Sequence, residues 1–126
     1  MRVLLADDHP GLLEVGRSLL KTEVEVVGCV DNGVSLVEVA TDLHPDVIVA
    51  DISMPKLSGL DAVDRLRESG CSSKVVFLTT HSGPDFVLAA LKTGALAYVL
   101  KACMVTDLLF AIKEAYAGRV FVSFQE

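Results

Sequence analysis

The sequence predicts an α/β fold, an open parallel sheet wound on both faces by helices. Short apolar runs alternate five times with longer segments whose apolar residues recur at helical spacing, and the short runs are apolar at nearly every position. Such runs mark strands buried on both faces, the condition of a parallel sheet covered by helices. The length of 126 residues suits one domain, and 52% hydrophobic against 22% charged residues excludes a disordered or fibrous chain.

Val3-Leu4-Leu5-Ala6 is too short for a helix and reads as the first strand; Leu12, Gly16, Leu19 and Leu20 then share one helical face. The run from Glu25 to Val30 is the second strand, followed by Leu36, Val39, Ala40 and Leu43 at helical spacing. Val47-Ile48-Val49-Ala50 is the third, followed by Leu60, Val63 and Leu66. Val75-Val76-Phe77-Leu78 is the fourth, followed by Phe86, Ala90 and Leu91. Ala97-Tyr98-Val99-Leu100 is the fifth, and Leu108, Ile112 and Ala115 mark the last helix. Pro10, Pro45, Pro55 and Pro84 fall between elements, while Gly70, Gly94 and Gly118 stand where helices should stop. Right-handed crossovers then give a doubly wound open sheet, and five such (βα) units match the flavodoxin-like strand order 2-1-3-4-5, in which the first and third strands are neighbours at the topological switch point. Residues 1–126 read as a single domain, with 117–126 an extension beyond the last helix.

Eleven basic against 17 acidic residues leave a net charge of −6, the wrong sign for a surface that grips nucleic acid by itself. Cys29, Cys71 and Cys103 are odd in number and lack metal-ligand spacing, so they read as free thiols of a reducing compartment, Cys29 in the core and the others in loops. His9, His44 and His81 show no mutual ligand spacing and read as surface or loop residues. No apolar run approaches the roughly 18 residues of a membrane span, and Arg2, Asp7 and Asp8 break any signal-peptide pattern. The expectation is a soluble, cytoplasmic chain that contacts no membrane.

Ligands in open parallel sheets bind outside the carboxyl ends of the strands, so the residues just after each apolar run carry the chemistry. Here they are Asp7-Asp8, Asp51, Thr79-Thr80 and Lys101. Carboxylates on neighbouring strands repel by about 3 kcal/mol per pair at an effective dielectric near 20. A cation must offset that, either Lys101 or a hard divalent ion such as Mg²⁺. Acids, a hydroxyl and a lysine together describe a phosphoryl-transfer site, with Asp51 as the nucleophile that forms an acyl phosphate.

Order and spacing add a resemblance. The Asp7-Asp8 pair, the string Asp51-Ile52-Ser53-Met54-Pro55, Gly59-Leu60, Thr79, Gly94-Ala95, and Tyr98 three residues before Lys101 make the chain resemble a response-regulator receiver domain along essentially its whole length. The resemblance implies that Asp51 accepts a phosphoryl group from a phosphohistidine on a sensor histidine kinase. It implies Mg²⁺ (or Mn²⁺) held by Asp8, Asp51 and the backbone carbonyl of Ser53, with Asp7 acting through water. Thr79 and Lys101 would contact the phosphoryl oxygens, Thr79 moving toward them while Tyr98 turns inward. Ser53 and His81 stand where the family tunes acyl-phosphate lifetime, and neither is acidic or amide-bearing, which implies a long-lived phosphorylated state.

Some positions depart from the family pattern. Ala102 stands where many receivers carry Pro after a cis peptide, and a cis bond before Ala costs about 3 kcal/mol. Thr80 replaces a commoner Ala, and Met104 falls where the last helix would often have a Ser cap, which leaves Thr106 as the local candidate.

The fourth helix is apolar nearly all round and Phe110 points away from the sheet, so either the face of helix four, strand five and helix five, or the one shared with helix one, is expected to dock a partner or second copy after phosphorylation. Gly118-Arg119-Val120-Phe121-Val122-Ser123 resembles the end of receivers in the NarL/FixJ subgroup, which continue into a helix-turn-helix domain. Transcription control through such a domain is the expected output, with a stand-alone messenger as the alternative. A flavodoxin-like electron carrier is disfavoured because Asp7 and Asp8 would repel its cofactor phosphate. A haloacid-dehalogenase-like phosphatase is disfavoured because Ser53 stands where its general acid would be.

Overall fold

The structure, a computed structural model, describes residues 1–123. Along the chain come β1 (Arg2–Ala6), α1 (Pro10–Leu20), β2 (Glu25–Val30), α2 (Gly33–Leu43), β3 (Val47–Ala50) and α3 (Gly59–Glu68). There follow β4 (Lys74–Thr79), α4 (Pro84–Lys92), β5 (Ala97–Leu100), α5 (Met104–Tyr116) and β6 (Phe121–Val122). The strands form one sheet of order β2-β1-β3-β4-β5-β6, all neighbours parallel. The 2-1-3-4-5 order is the one the sequence predicts.

Successive strand residues point to opposite faces, and each face has its own core. Leu4, Ile48, Phe77 and Tyr98 pack with Leu36 of α2 and Val63 and Leu66 of α3. Val3, Val49, Val76 and Val99 pack with Leu20 of α1 and Leu108 and Ile112 of α5. Each such large side chain, fully removed from water, contributes about 1.5–3 kcal/mol, and together they hold the strand ends at a common level.

Helix boundaries follow local chemistry. Asn32 caps α2 by accepting from the Ser35 N–H at 2.8 Å, and Ser58 caps α3 by accepting from the Asp61 N–H at 3.1 Å. Gly70, Gly94 and Gly118 take φ of 88°, 91° and 82° after α3, α4 and α5, the left-handed conformation that stops a helix and favours glycine.

Three expectations are corrected. The sheet has a sixth strand, because Phe121–Val122 adds to the free edge of β5: the Phe121 N–H donates to Leu96 O at 3.0 Å and the Ser123 N–H to Tyr98 O at 2.8 Å. A two-residue strand has no periodicity of its own and exists only where an edge receives it. Cys29 is exposed and not in the core. It lies on β2, the strand at the other edge, paired in register with Leu5 but beyond the cover of α1. Thr106 does not cap α5: a 3₁₀ turn over Lys101–Cys103 runs straight into the helix, and the Thr106 hydroxyl donates to Cys103 O at 3.1 Å. The Lys101–Ala102 peptide is trans.

Candidate functional site

The parallel register sets the strand ends side by side. Ala6 pairs with Ala50 and Thr79 with Leu100, so Asp7, Asp51, Thr79 and Lys101 all emerge at one rim. The Asp51 N–H donates to Ala6 O and the Asp7 N–H to Val30 O, each at 3.0 Å, which fixes both carboxylate stems. Gly59 matters for the same reason. Its N–H donates to Ile52 O at 2.7 Å, and a Cβ there would overlap the carbonyl oxygen of Asp51. Gly59→Ala is therefore expected to cost about 1–3 kcal/mol, as overpacking does, and to displace Asp51. Urea unfolding measures the cost, and an unchanged midpoint would contradict it.

Lys101 Nζ lies 2.8 Å from Asp51 Oδ2 and 2.9 Å from Asp7 Oδ2. Asp51 Oδ1 accepts from the Ile52 N–H at 2.7 Å. All three side chains are largely withdrawn from water, at 13% exposure for Lys101, 7% for Asp51 and 5% for Asp7. Burial alone would lower the Lys101 pKa, but hydrogen bonds to Asp51 and Asp7, reinforced by their charges, outweigh it and raise the ammonium above its usual value. Asp8 is the exposed member of the group.

Asp7 Oδ1 accepts from the His9 N–H at 2.9 Å, and His9 Nδ1 lies 3.0 Å from that oxygen and 3.2 Å from Asp8 Oδ1. Asp7 Oδ2 is buried, and its partner there is the Lys101 ammonium at 2.9 Å, which it shares with Asp51. One ligand atom each from Asp7, Asp8, His9 and Asp51 lies within 4.8 Å of the others. Three carboxylates converging with one ammonium shared between two of them fit a hard divalent cation.

A second constellation joins this rim to α4. Thr79 is fully buried, and its Oγ1 accepts from the His81 N–H at 3.3 Å. His81 Nε2 lies 2.9 Å from Ser53 Oγ, and the His81 ring stacks on Phe86 with centroids 4.1 Å apart. The Tyr98 hydroxyl donates to His81 O at 2.5 Å. Tyr98 is 1% exposed, so its ring already occupies the inward position.

Burial first, and the charge of Asp51 second, push the Tyr98 hydroxyl up to about 12. An unfolded tyrosine titrates near pH 10, so between pH 10 and 12 the unfolded chain loses a proton that the folded chain keeps, and stability falls with rising pH by about 3 kcal/mol. Lys101, also raised, acts in the same direction: its contribution is full below its unfolded pKa of about 10.4 and lost above its folded one. Urea midpoints that drop from about pH 10 upward are expected, and a flat profile would contradict the burial of Tyr98.

The structure therefore brings Asp7, Asp8, Asp51 and Lys101 into one cluster, and places Thr79, Ser53, His81 and Tyr98 in an adjoining hydrogen-bonded set. Two features escaped sequence reasoning: the seating of His9 on the acid pair, and the bridge that His81 makes from Ser53 to Phe86. Adjacency to Asp7-Asp8 was the available signal for His9; for the bridge there was none, because it joins loops 28 residues apart.

Comparison with known proteins agrees with this geometry. The family model described as response regulator receiver domain matches residues 3–113. The chain is 38% identical over 123 residues to the nitrate/nitrite response regulator protein NarL of Escherichia coli (strain K12), covering 96% of this chain and 57% of that protein. It is 40% identical over 124 residues to the uncharacterized transcriptional regulatory protein YvfU of Bacillus subtilis (strain 168), covering 96% of this chain and 62% of that protein. The chain thus spans somewhat over half the length of these relatives. Among solved structures, a LuxR-family two-component response regulator from Aurantimonas sp. SI85-9A1 superposes with a TM-score of 0.90 at 30% identity, covering 95% of this chain and 87% of that one. The non-phosphorylated receiver domain of the stress response regulator RcsB from Escherichia coli superposes with a TM-score of 0.89 at 29% identity, covering 98% of each chain. A matched segment that runs over 3–113 and so includes every strand end of the rim makes this chain a member of the response regulator receiver domain family.

Proposed function

We propose that Asp51 is the phosphoacceptor of a signalling switch and takes its phosphoryl group from a phosphohistidine of a sensor histidine kinase. The observation that carries this reading is the Asp51 carboxylate held at the end of β3 with one oxygen against Lys101 and with Asp7 and Asp8 beside it. An Asp51 oxygen attacks phosphorus, the phosphorus–nitrogen bond of the donor breaks, and its electron pair leaves with the imidazole, which takes up a proton. Asp8, Asp51 and the Ser53 backbone carbonyl would hold Mg²⁺, with Asp7 acting through water. That ion supplies charge neutralisation for the phosphoryl oxygens. Lys101 provides a second positive charge beside Asp51.

Thr79 transmits the event. Its hydroxyl presently accepts from the His81 N–H, which leaves its own proton free to donate to a phosphoryl oxygen. A shift of Thr79 in that direction pulls on His81, whose carbonyl holds Tyr98 and whose ring holds Phe86. The switch is thus biased because the phosphorylated state makes contacts that the free state lacks.

Ser53 and His81 are paired with each other, and neither carries the carboxylate or amide that would orient a hydrolytic water. Incubation with Mg²⁺ and acetyl phosphate is expected to add one phosphoryl group by intact-protein mass spectrometry. After donor removal the adduct should persist for minutes or longer. No mass increase refutes the phosphoacceptor reading, and decay within seconds refutes the role given to the Ser53–His81 pair.

In this reading residues 1–126 form a single receiver domain, with 117–126 leading toward an output element. The relatives named as transcriptional regulators support an output at transcription, through DNA contacts made outside this acidic domain. Homodimerisation on phosphorylation would use the face where Leu88 and Phe110 are exposed. A cytoplasmic location fits a kinase-fed switch, and among the described residues no helix is long and apolar enough to cross a membrane.

A further inference from the structure

The following rests on the reading that the acid rim holds a divalent cation. We propose that His9 is a ligand of that cation, so that the site is a mixed nitrogen–oxygen one that selects first-row transition-metal ions such as Mn²⁺ over Mg²⁺ more strongly than an all-oxygen site would.

The geometry is that of a shared ion. His9 Nδ1 stands 3.0 Å from Asp7 Oδ1 and 3.2 Å from Asp8 Oδ1, two oxygens of different residues. A single N–H proton can be directed well at only one of them. Neighbouring ligand atoms on an octahedral ion with bonds near 2.1 Å are separated by about 3 Å, so His9 Nδ1 and Asp8 Oδ1, 3.2 Å apart, can face one cation after small adjustment, with Asp7 Oδ1 beside them reaching it through water.

Charge is already sorted for this. Lys101 occupies the Oδ2 side of Asp7 and Asp51, which leaves Asp7 Oδ1 and Asp8 Oδ1 facing His9.

The backbone places the ring there. His9 precedes α1 with φ −101° and ψ 106°, its N–H is anchored on Asp7 Oδ1, and Pro10 opens the helix behind it. The side chain makes no capping bond to α1, so the imidazole is not committed to the helix. It is 68% exposed and can follow an ion at little packing cost. Mg²⁺ is a hard ion that keeps to oxygen donors and dehydrates reluctantly, whereas the first-row transition ions from Mn²⁺ upward also accept an imidazole nitrogen in a mixed site. Adding one nitrogen donor therefore strengthens binding of Mn²⁺ and its heavier neighbours while doing little for Mg²⁺.

The test measures metal binding directly. Mn²⁺ affinity is read from the free-ion electron paramagnetic resonance signal, and Mg²⁺ affinity by competition, in the wild-type protein, His9→Ala and His9→Gln. Both variants are expected to weaken Mn²⁺ by at least about tenfold, the loss seen when even an outer partner of a metal ligand is removed, with Mg²⁺ changed by less than about twofold. Pulsed resonance on the wild-type protein should show coupling of bound Mn²⁺ to an imidazole nitrogen that both variants lack, and this readout does not depend on variant stability. Absence of that coupling in the wild type, or equal loss of both metals in the variants, overturns the proposal and leaves the phosphoacceptor reading standing. Failure of the wild type to bind either ion overturns both.

Discussion

Asp51→Asn is expected to abolish phosphoryl uptake from acetyl phosphate while leaving the protein folded. The amide keeps the size and the Oδ1 acceptor that the Ile52 N–H uses, but it is not a nucleophile. It also places an NH₂ where Oδ2 faced Lys101, so the ammonium turns wholly to Asp7, 2.9 Å away. One of the crowded negative charges is gone. Carboxylates about 4 Å apart at an effective dielectric near 20 repel by about 4 kcal/mol, so the relief offsets the lost ion pair. The thermal midpoint without divalent cations should equal or exceed that of the wild type. An adduct of wild-type yield in the variant would remove Asp51 from the mechanism.

Lys101→Ala should have the opposite signature. It leaves Asp7 and Asp51 buried without their cation, and breaking a buried pair by deleting one partner costs about 3–5 kcal/mol. That cost is expected in urea unfolding at neutral pH without divalent ions. It should shrink as Mg²⁺ is added, because an ion that binds only the folded state stabilises it in proportion to its occupancy. Phosphoryl uptake should continue slowly, since the nucleophile is intact, but tyrosine fluorescence should no longer report it. A variant as stable as the wild type without Mg²⁺ would mean that Lys101 does not neutralise the rim.

The two substitutions separate chemistry from charge balance, a distinction that the Lys101 geometry makes possible. One ammonium serves two carboxylates at 2.8 and 2.9 Å, so removing either acid leaves a pair and removing the lysine leaves none.

Much of this was legible in the residues. Val3–Ala6, Val47–Ala50 and Ala97–Leu100 are apolar throughout, and both faces of the corresponding strands are covered by helices. In a parallel sheet every strand runs the same way, so residues that follow apolar runs must share a rim. Asp7, Asp51 and Lys101 share a rim for that reason, and the strand order together with the reach of the lysine side chain brings them into contact.

Other features depended on what surrounds an element. Cys29 lies in an apolar run like the others, yet β2 is an edge strand and its outer part stays wet. Phe121 and Val122 are two residues without a pattern, and they became a strand because β5 offered an unpaired edge.

The sequence by itself determined the alternation of buried strands and helices and the gathering of acids and lysine at one rim, because hydrophobic periodicity marks the elements and parallel strands end on the same side. Only the tertiary structure decided which edge received β6, how His9 sits on Asp7 and Asp8, and how His81 ties Ser53 to Phe86 and Tyr98. The His9 contact is a rotamer choice among near neighbours in the chain, and those of His81 with Ser53 and Tyr98 are contacts across long sequence separations, set by packing once the sheet exists.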